Sequence, residues 1–168
     1  MTTAFVAILM GSDSDLPVME ASFEILKKFD IPFEVKVTSA HRTPAATHSY
    51  VTDADARGCA AFICAAGMAA HLAGAVSATT LKPVIGVPIN GSLDGLDALL
   101  STVQMPGGIP VATVAIGKAG AKNAAYLAAQ IIGVSDPEMH QKLIAERAAN
   151  AAAIIAKDAA LQEKLKNS

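Results

Sequence analysis

The sequence predicts an α/β fold in which a parallel sheet is covered by helices on both faces. Short apolar segments of the kind that form buried strands alternate along the chain with longer segments that carry helix signals. The composition is apolar for a chain of 168 residues, with 52% hydrophobic and only 17% charged residues. Much of this excess is alanine and valine, which are typical of buried parallel strands and closely packed helices.

Five strands are predicted in chain order. The first, Ala4 to Met10, is a continuous apolar run and is interpreted as a central strand buried on both faces. The second, 33–38, alternates apolar and polar residues, as a half-buried edge strand does. The others are predicted over 60–65, 84–87 and 111–116. Right-handed crossovers between them give a three-layer αβα domain with a flavodoxin-like central parallel sheet in the order 2-1-3-4-5.

Helices are predicted between the strands, over Leu16 to Phe29, from Pro44 to Gly58, between Gly74 and Lys82, over Leu96 to Val103 and over Gly120 to Ile132. Ser14 or Asp15 can cap the first helix, and Thr43 the second. Residues 106–110 are predicted to be irregular, because two prolines and two glycines leave no regular hydrogen-bond ladder. No linker divides these elements, so residues 1–168 are expected to form a single domain.

The last helix is predicted to be unusually long. Ser135-Asp136-Pro137-Glu138 is a capping box, and the helix that it opens can run over 136–166. At about 1.5 Å per residue such a helix is longer than a domain of this size is wide. Its apolar stripe must therefore be covered by a partner subunit, which we prefer, or by a bend back onto the same subunit. The stripe consists of Ile144, Ala148, Ala151 and Ile155.

Charge and hydropathy argue against two classes of partner. The net charge of −2 and the pI near 6.0 give no electrostatic basis for binding nucleic acid or an anionic membrane. No apolar run approaches the roughly 20 residues that span a bilayer. The N-terminus, Met1-Thr2-Thr3-Ala4, lacks the basic region and cleavage site of a secretory signal, so a cytoplasmic location is expected.

Two cysteines, Cys59 and Cys64, lie in or beside the third predicted strand. Their odd spacing in a strand predicts side chains on opposite faces of the sheet, where they can neither bridge each other nor form a metal pair. We therefore expect two buried free thiols, as is usual in a reducing compartment.

Three loops that carry polar groups follow the first three strands, and the carboxyl ends of parallel strands share one edge of a sheet. Gly11 to Asp15 offers hydroxyls and free backbone N–H groups at a helix start, which suit a phosphate. Ser39 to Arg42 offers a hydroxyl, an imidazole that can titrate near neutrality and a permanent guanidinium cation. The third loop, Ala66 to Gly74, brings a second histidine, His71.

Each of these candidates has a structural alternative. Ser14 and Asp15 can cap a helix without binding anything. A single histidine is more often a hydrogen-bonded structural group than a catalyst, but two on one rim favour a functional interpretation. Arg42 can instead form an ion pair between subunits. Met68 is interpreted as packing.

The loops and two later segments together carry a distinctive set of motifs. They are Met10-Gly11-Ser12-Asp13-Ser14-Asp15, Ser39-Ala40-His41-Arg42-Thr43-Pro44, Ala69-Ala70-His71-Leu72, the segment 103–111 (VQMPGGIPV) and the segment 117–125 (GKAGAKNAA). In this combination and order, nearly the whole chain resembles the class I PurE proteins, which are N5-carboxyaminoimidazole ribonucleotide mutases of purine biosynthesis. The class II aminoimidazole ribonucleotide carboxylases share the fold but lack the alanine-histidine-leucine loop. That loop usually reads G-A-G-G-A-A-H-L-P-G in class I, and Ala65, Met68 and Ala73 depart from it here.

The resemblance implies a ribonucleotide substrate, an octamer with the C-terminal helix reaching onto neighbouring subunits, and no metal or organic cofactor. It also implies a transient contact with the ATP-dependent synthetase that makes the substrate. By position, His41 would move protons, Gly67 and His71 would line the reacting pocket, and the remaining substrate-binding residues would be Ser12, Asp15, Ser39, Arg42 and Ala70. The alanines of the third loop and the 105–110 loop would enclose released carbon dioxide.

Two other functions compete with this interpretation. The first is a PurE-like carboxylase that acts on another nucleotide. The second is a non-enzymatic, flavodoxin-like FMN carrier, which would be yellow when purified. Such carriers normally stack aromatic side chains on the flavin, whereas only 4% of the residues here are aromatic.

Overall fold

The computed structural model describes residues 4–167, which form a three-layer αβα domain with a five-stranded parallel sheet in the order β2-β1-β3-β4-β5. The strands are β1 (Phe5–Met10), β2 (Phe33–Val37), β3 (Cys59–Gly67), β4 (Val84–Ile89) and β5 (Ala112–Thr113). The predicted fold class is therefore confirmed. The N-terminal residues Met1-Thr2-Thr3, on which the expected location depends, lie outside the described residues.

Six α-helices occur within residues 4–167 and cover both faces of the sheet. They are α1 (Leu16–Lys28), α2 (Pro44–Ala56), α3 (Leu72–Ser77), α4 (Leu96–Val103), α5 (Lys118–Gly133) and α6 (Pro137–Lys166). Side chains of α1 and α5 pack on one face and those of α2 and α3 on the other. No helix of the described part combines the length and the apolar character that crossing a membrane requires.

The central strand β1 divides its side chains between the two faces, as period-two geometry demands. Val6, Ile8 and Met10 belong to the core beneath α1 and α5, whereas Phe5, Ala7 and Leu9 belong to the core beneath α2 and α3. All six residues are buried, which confirms the prediction of a strand covered on both faces.

The two cysteines correct one prediction. Cys59 and Cys64 are free and buried, as expected, but both face the core beneath α2 and α3. The pairing of β1 with β3 shifts between Phe5, which opposes Cys59, and Val6, which opposes Ala61. This extra residue reverses the alternation, so the odd spacing no longer separates the two thiols.

The last strand is shorter than the predicted 111–116. Only Ala112 and Thr113 pair with β4, opposite Ile85 and Gly86. Pro88 follows in β4 and has no N–H to donate, so the ladder cannot continue on that side. Beyond β5 the chain stays beside β4 through single hydrogen bonds, including one from the Gly117 N–H to the Pro88 carbonyl oxygen at 2.9 Å.

The C-terminal helix α6 contains 30 residues and leaves the domain after its first turns. Asp136, rather than Ser135, caps it by accepting hydrogen bonds from the N–H groups of Glu138 and Met139. Glu146 fixes it to the domain, because its carboxylate pairs with Lys28 at 2.6 Å and accepts a hydrogen bond from Tyr126 at 3.0 Å. From Arg147 to Asn167 every residue is exposed in the isolated chain.

Gly120 provides a test of how closely α5 packs on the preceding loop. A Cβ at this position would overlap the backbone carbonyl oxygen of Ala115, which cannot rotate away. We expect Gly120→Ala to lower the free energy of unfolding in urea by at least about 1–3 kcal/mol, as overpacking does. Gly107→Ala is the matched control, because no atom lies within 4 Å of its added Cβ. Equal stability of the two variants would contradict the packing described here.

Candidate active site

A cavity of about 500 Å³ lies at the carboxyl edge of the sheet. The loops after β1, β2 and β3 contribute to it, as predicted, and seven of the eight predicted site residues line it. These are Ser12, Asp15, Ser39, His41, Arg42, Gly67 and His71. The parallel direction of the strands explains this convergence, because it brings all of their following loops to one edge.

The loop after β1 is held by Ser12. A short 3₁₀ turn over Asp13–Asp15 precedes α1, and the Ser12 hydroxyl caps it by accepting hydrogen bonds from the Ser14 N–H at 3.2 Å and the Ser14 hydroxyl at 2.8 Å. Ser12 therefore caps the 3₁₀ turn. Asp15, one of the two predicted residues, stands at the N-cap position of α1, but its side chain makes no capping hydrogen bond. The same geometry keeps Ser12 at the cavity.

Asp15 is a buried carboxylate in the cavity wall, with 8% of its surface exposed. Burial raises the pKa of its side chain because the charged form loses hydration. A hydrogen bond from the Ser12 backbone opposes this effect, and the nearby charge of Asp13 adds to it. An ionised group in such a position gains more from a hydrogen bond to a ligand than an exposed aspartate would.

The loop after β2 is closed by hydrogen bonds between Ser39 and the residues that follow it. The Ser39 hydroxyl accepts from the Arg42 N–H at 3.1 Å, and the Thr43 hydroxyl accepts from the Ser39 N–H at 2.9 Å. Thr43 stands at the predicted N-cap position of α2, but its side chain stabilises the loop and makes no capping hydrogen bond to the helix. The side chains of His41 and Arg42 are left exposed at the cavity.

Arg42 brings a permanent positive charge to the cavity. Among residues 4–167 no carboxylate forms an ion pair with its guanidinium group. The charge is thus available to an anionic ligand, and the planar group can donate two parallel hydrogen bonds to a phosphate or a carboxylate.

His41 and His71 are in direct contact across the cavity. Nε2 of His41 lies 2.8 Å from Nδ1 of His71, and the rings are nearly perpendicular, at 87°. At this distance one nitrogen donates and the other accepts, so a single proton lies between the two rings. The sequence placed both histidines on one rim, but their hydrogen bond could not be inferred from it.

The loop after β3 shows one departure from the predicted site. Ala70 is 1% exposed and does not line the cavity. Its N–H donates a hydrogen bond to the Met68 carbonyl oxygen at 2.9 Å, so this tight turn directs Ala70 into the core while Gly67 and His71 remain at the cavity. Met68 and Ala69 also line the cavity.

A fourth loop, which follows β4, also contributes to the cavity through Asn90 and Gly91. This loop was not predicted from the sequence, although an asparagine directly after a buried strand is a usable signal. The 105–110 loop, which was expected to be a wall, lies elsewhere in the isolated chain. Met105 packs beside Gly74, and Pro110 accepts a hydrogen bond from Ser77 at 2.7 Å.

No metal site accompanies these residues. Within residues 4–167 no three histidine, cysteine, aspartate or glutamate side chains are grouped so that they could hold an ion.

Comparison with known proteins identifies the family. The family model described as AIR carboxylase matches residues 5–153. The chain belongs to the AIR carboxylase family. Within this family it is 53% identical to the N5-carboxyaminoimidazole ribonucleotide mutase of Mycobacterium tuberculosis, over 94% of this chain and 90% of that protein. It is 55% identical to the mutase of the same name from Pyrococcus abyssi, over 82% and 79% of the two chains.

A solved structure with substantial sequence identity has the same fold. The crystal structure of Treponema denticola PurE superimposes with a TM-score of 0.85 at 34% identity, over 94% of this chain and 98% of the other. The resemblance to PurE proteins that the motifs predicted is therefore confirmed.

Asp15 allows a test of how burial of its carboxylate affects the stability of the folded protein. Because its pKa is raised in the folded protein, ionisation costs stability, and this cost grows as the pH rises through the folded pKa. We expect Asp15→Asn to be more stable than the unaltered protein at neutral pH. The difference should disappear near and below the ordinary pKa of 3.8, where the carboxyl group is protonated in both states.

Urea denaturation over a pH series measures this difference. Asp94→Asn is the control, because Asp94 is an exposed aspartate and its replacement should not change stability in this way. If the Asp15→Asn difference did not vary with pH, desolvation of the Asp15 carboxylate would not be the cause.

Proposed function

We propose that this protein is an isomerase of de novo purine biosynthesis, on the route to IMP. It would convert N5-carboxyaminoimidazole ribonucleotide into 4-carboxy-5-aminoimidazole ribonucleotide. The observation that carries the proposal is the hydrogen-bonded pair of His41 and His71 in a cavity that also holds the Arg42 cation. The names of the relatives from Mycobacterium tuberculosis and Pyrococcus abyssi support it.

The cavity offers a complementary group for each part of a ribonucleotide. The Arg42 guanidinium suits the phosphate because it can donate hydrogen bonds to the phosphate oxygens. The Ser12 hydroxyl, which donates to the Asp13 carboxylate at 3.3 Å, can turn to donate to the phosphate instead. The Asp15 carboxylate suits a ribose hydroxyl, which can donate to it. With these groups engaged, the base would lie towards His41 and His71, on the loops after β2 and β3.

The reaction requires two proton transfers and no change of oxidation state. Protonation of the carbamate nitrogen allows the C–N bond to break, with release of carbon dioxide and a neutral amine. C4 of the aminoimidazole then attacks the carbon dioxide, forms the new C–C bond and loses its proton. One imidazole can give the first proton and accept the second, and we assign this role to His41.

His71 has a supporting role in this scheme. The proton between Nε2 of His41 and Nδ1 of His71 can reside on either ring, so His71 can exchange a proton with His41 before the first transfer and after the second. The contact also fixes the orientation of the His41 ring. A fixed orientation favours proton transfer, because a general acid or base must lie within hydrogen-bond reach of the proton that it transfers.

A single assay tests the proposed function. Purified protein should convert N5-carboxyaminoimidazole ribonucleotide into the C4-carboxylate without ATP and without added bicarbonate. A PurE-like carboxylase that acts on another nucleotide would form no C4-carboxylate from this substrate. An FMN carrier would show no conversion and would bind the flavin. Either result would refute the mutase assignment.

His41→Asn tests the proton carrier. The substitution removes the imidazole and approximately keeps the size of the side chain. We therefore expect a folded protein whose kcat is lower by at least about 10²–10⁴-fold, since one group would serve two transfers. Steady-state kinetics measure the loss. His48→Asn is the matched control, because His48 lies on α2 and does not line the cavity. Retention of most of the activity by His41→Asn would exclude His41 as the carrier.

We also infer a homo-oligomer in which α6 packs on a neighbouring subunit. The support is a large amount of apolar surface left uncovered by one chain: Ile154, Ile155, Leu161 and Leu165 on α6 are between 51% and 71% exposed, and the edge strand exposes Val35 and Val37. Several large apolar side chains exposed along one helix are typical of a surface that another chain covers. The number of eight subunits comes from the resemblance to class I PurE proteins alone.

Two further expectations belong to this proposal. A cytoplasmic location fits the two free, buried thiols and a nucleotide substrate. A transient contact with the ATP-dependent synthetase that makes the substrate would shorten the lifetime of a labile carbamate in solution. Neither nucleic acid nor membrane is an expected partner.

A pair of substitutions on α6 tests the assembly. Ile155→Glu places a charge on the exposed apolar surface and should yield smaller species in light scattering, because burying an unpaired carboxylate is costly. Lys157→Glu places the same group two residues after Ile155. Residues at this spacing do not share a helix face, so this variant should leave the size of the assembly unchanged. An unaltered protein that is already monomeric and fully active would refute the oligomer.

A further inference from the structure

The side-chain amide of Asn90 is a hydrogen-bonding group that the cavity leaves open to a ligand. Asn90 follows β4 directly, is exposed and lines the cavity. Within residues 4–167 its side chain makes no hydrogen bond. Both N–H donors of the amide and its carbonyl oxygen are therefore available to a bound molecule.

The loop that carries Asn90, residues 90–95, is held in an unusual backbone conformation. Residues 93–95 all have positive φ, between +50° and +83°. Gly95 packs so closely that a Cβ there would lie 2.7 Å from Cγ2 of Ile116 and 3.3 Å from Cα of Asn90. Backbone conformations of this kind persist where the surrounding structure fixes them, and they are concentrated at ligand sites.

Asn90 lies at the opposite end of the cavity from Arg42. In the strand order β2-β1-β3-β4, Arg42 is on the loop after the first of these strands and Asn90 is on the loop after the last. With the phosphate on Arg42, the substituents of the base would reach the loops after β3 and β4. Of the cavity residues between positions 66 and 91, only His71 and Asn90 have polar side chains.

We infer that the Asn90 amide donates a hydrogen bond to the carboxylate that the substrate carries on N5 and the product carries on C4. This inference rests on the proposed mutase function. N5 is attached to C5, the ring atom next to C4, so one donor can reach the carboxylate in both positions. A neutral amide also suits a group that must become uncharged carbon dioxide in between, because it stabilises the anion less than a cation would.

Two probes that differ only in the carboxylate test this contact. They are 4-carboxyimidazole ribonucleotide and imidazole ribonucleotide, which lack the 5-amino group and so cannot undergo the proposed reaction. Isothermal titration calorimetry gives the Kd of each. Asn90→Ala should weaken binding of the carboxylated probe about 10–100-fold, as loss of a hydrogen bond to a charged group does. Binding of imidazole ribonucleotide should stay unchanged, which also shows that the site remains folded.

Asn90→Asp determines whether the amide acts as a donor. Aspartate has nearly the same shape but replaces the N–H donors by a negative charge, so it should weaken binding of the carboxylated probe more than Asn90→Ala does. Asn167→Asp is the control for added charge and should bind both probes as the unaltered protein does. Asn167 lies at the end of α6 and does not line the cavity.

Three results would overturn the inference. Asn90→Ala could affect the two probes equally, Asn90→Asp could bind the carboxylated probe better than Asn90→Ala does, or the unaltered protein could fail to bind the carboxylated probe. Failure of the proposed function gives a different result. The unaltered protein would then form no C4-carboxylate from N5-carboxyaminoimidazole ribonucleotide, whereas the Kd values of the two probes would still decide whether Asn90 binds a carboxylate.

Discussion

The parallel pairing of β1 with β2 and β3 is the interaction on which the remaining structure depends. β1 is buried along its whole length and contributes alternate side chains to both cores. Because its neighbours run in the same direction, the loops after all three strands emerge at one edge. An antiparallel neighbour would send its loop to the opposite edge, and His41 could not then contact His71.

Most of the fold could be predicted from the sequence because its strands and helices have strong local patterns. The predictions that failed for β5 and for the two cysteines share a physical cause, because each of these features depends on pairing with a neighbouring strand. The early end of β5 follows from the missing N–H of Pro88, and the common face of Cys59 and Cys64 follows from a shift in register. Neither effect can be recognised in the residue pattern of the strand that it changes.

The candidate site was predictable where a loop with titratable side chains follows a strongly apolar strand, as with His41 and His71. The loop with Asn90 was missed because it carries no such group. The residue pattern also did not predict the conformation of the loop after β3. It did not indicate that a turn would bury Ala70, or that Met68 would adopt a backbone conformation that glycine favours.

The common face of the two cysteines has a consequence for how opening of the domain can be observed. Burial raises the pKa of Cys59 to about 11 and that of Cys64 further still, so the reactive thiolate is scarce in the native state. Both thiols lie in one core, beneath α2 and α3. Labelling by a thiol reagent therefore records the separation of these two helices from the sheet, and it does so without an introduced probe.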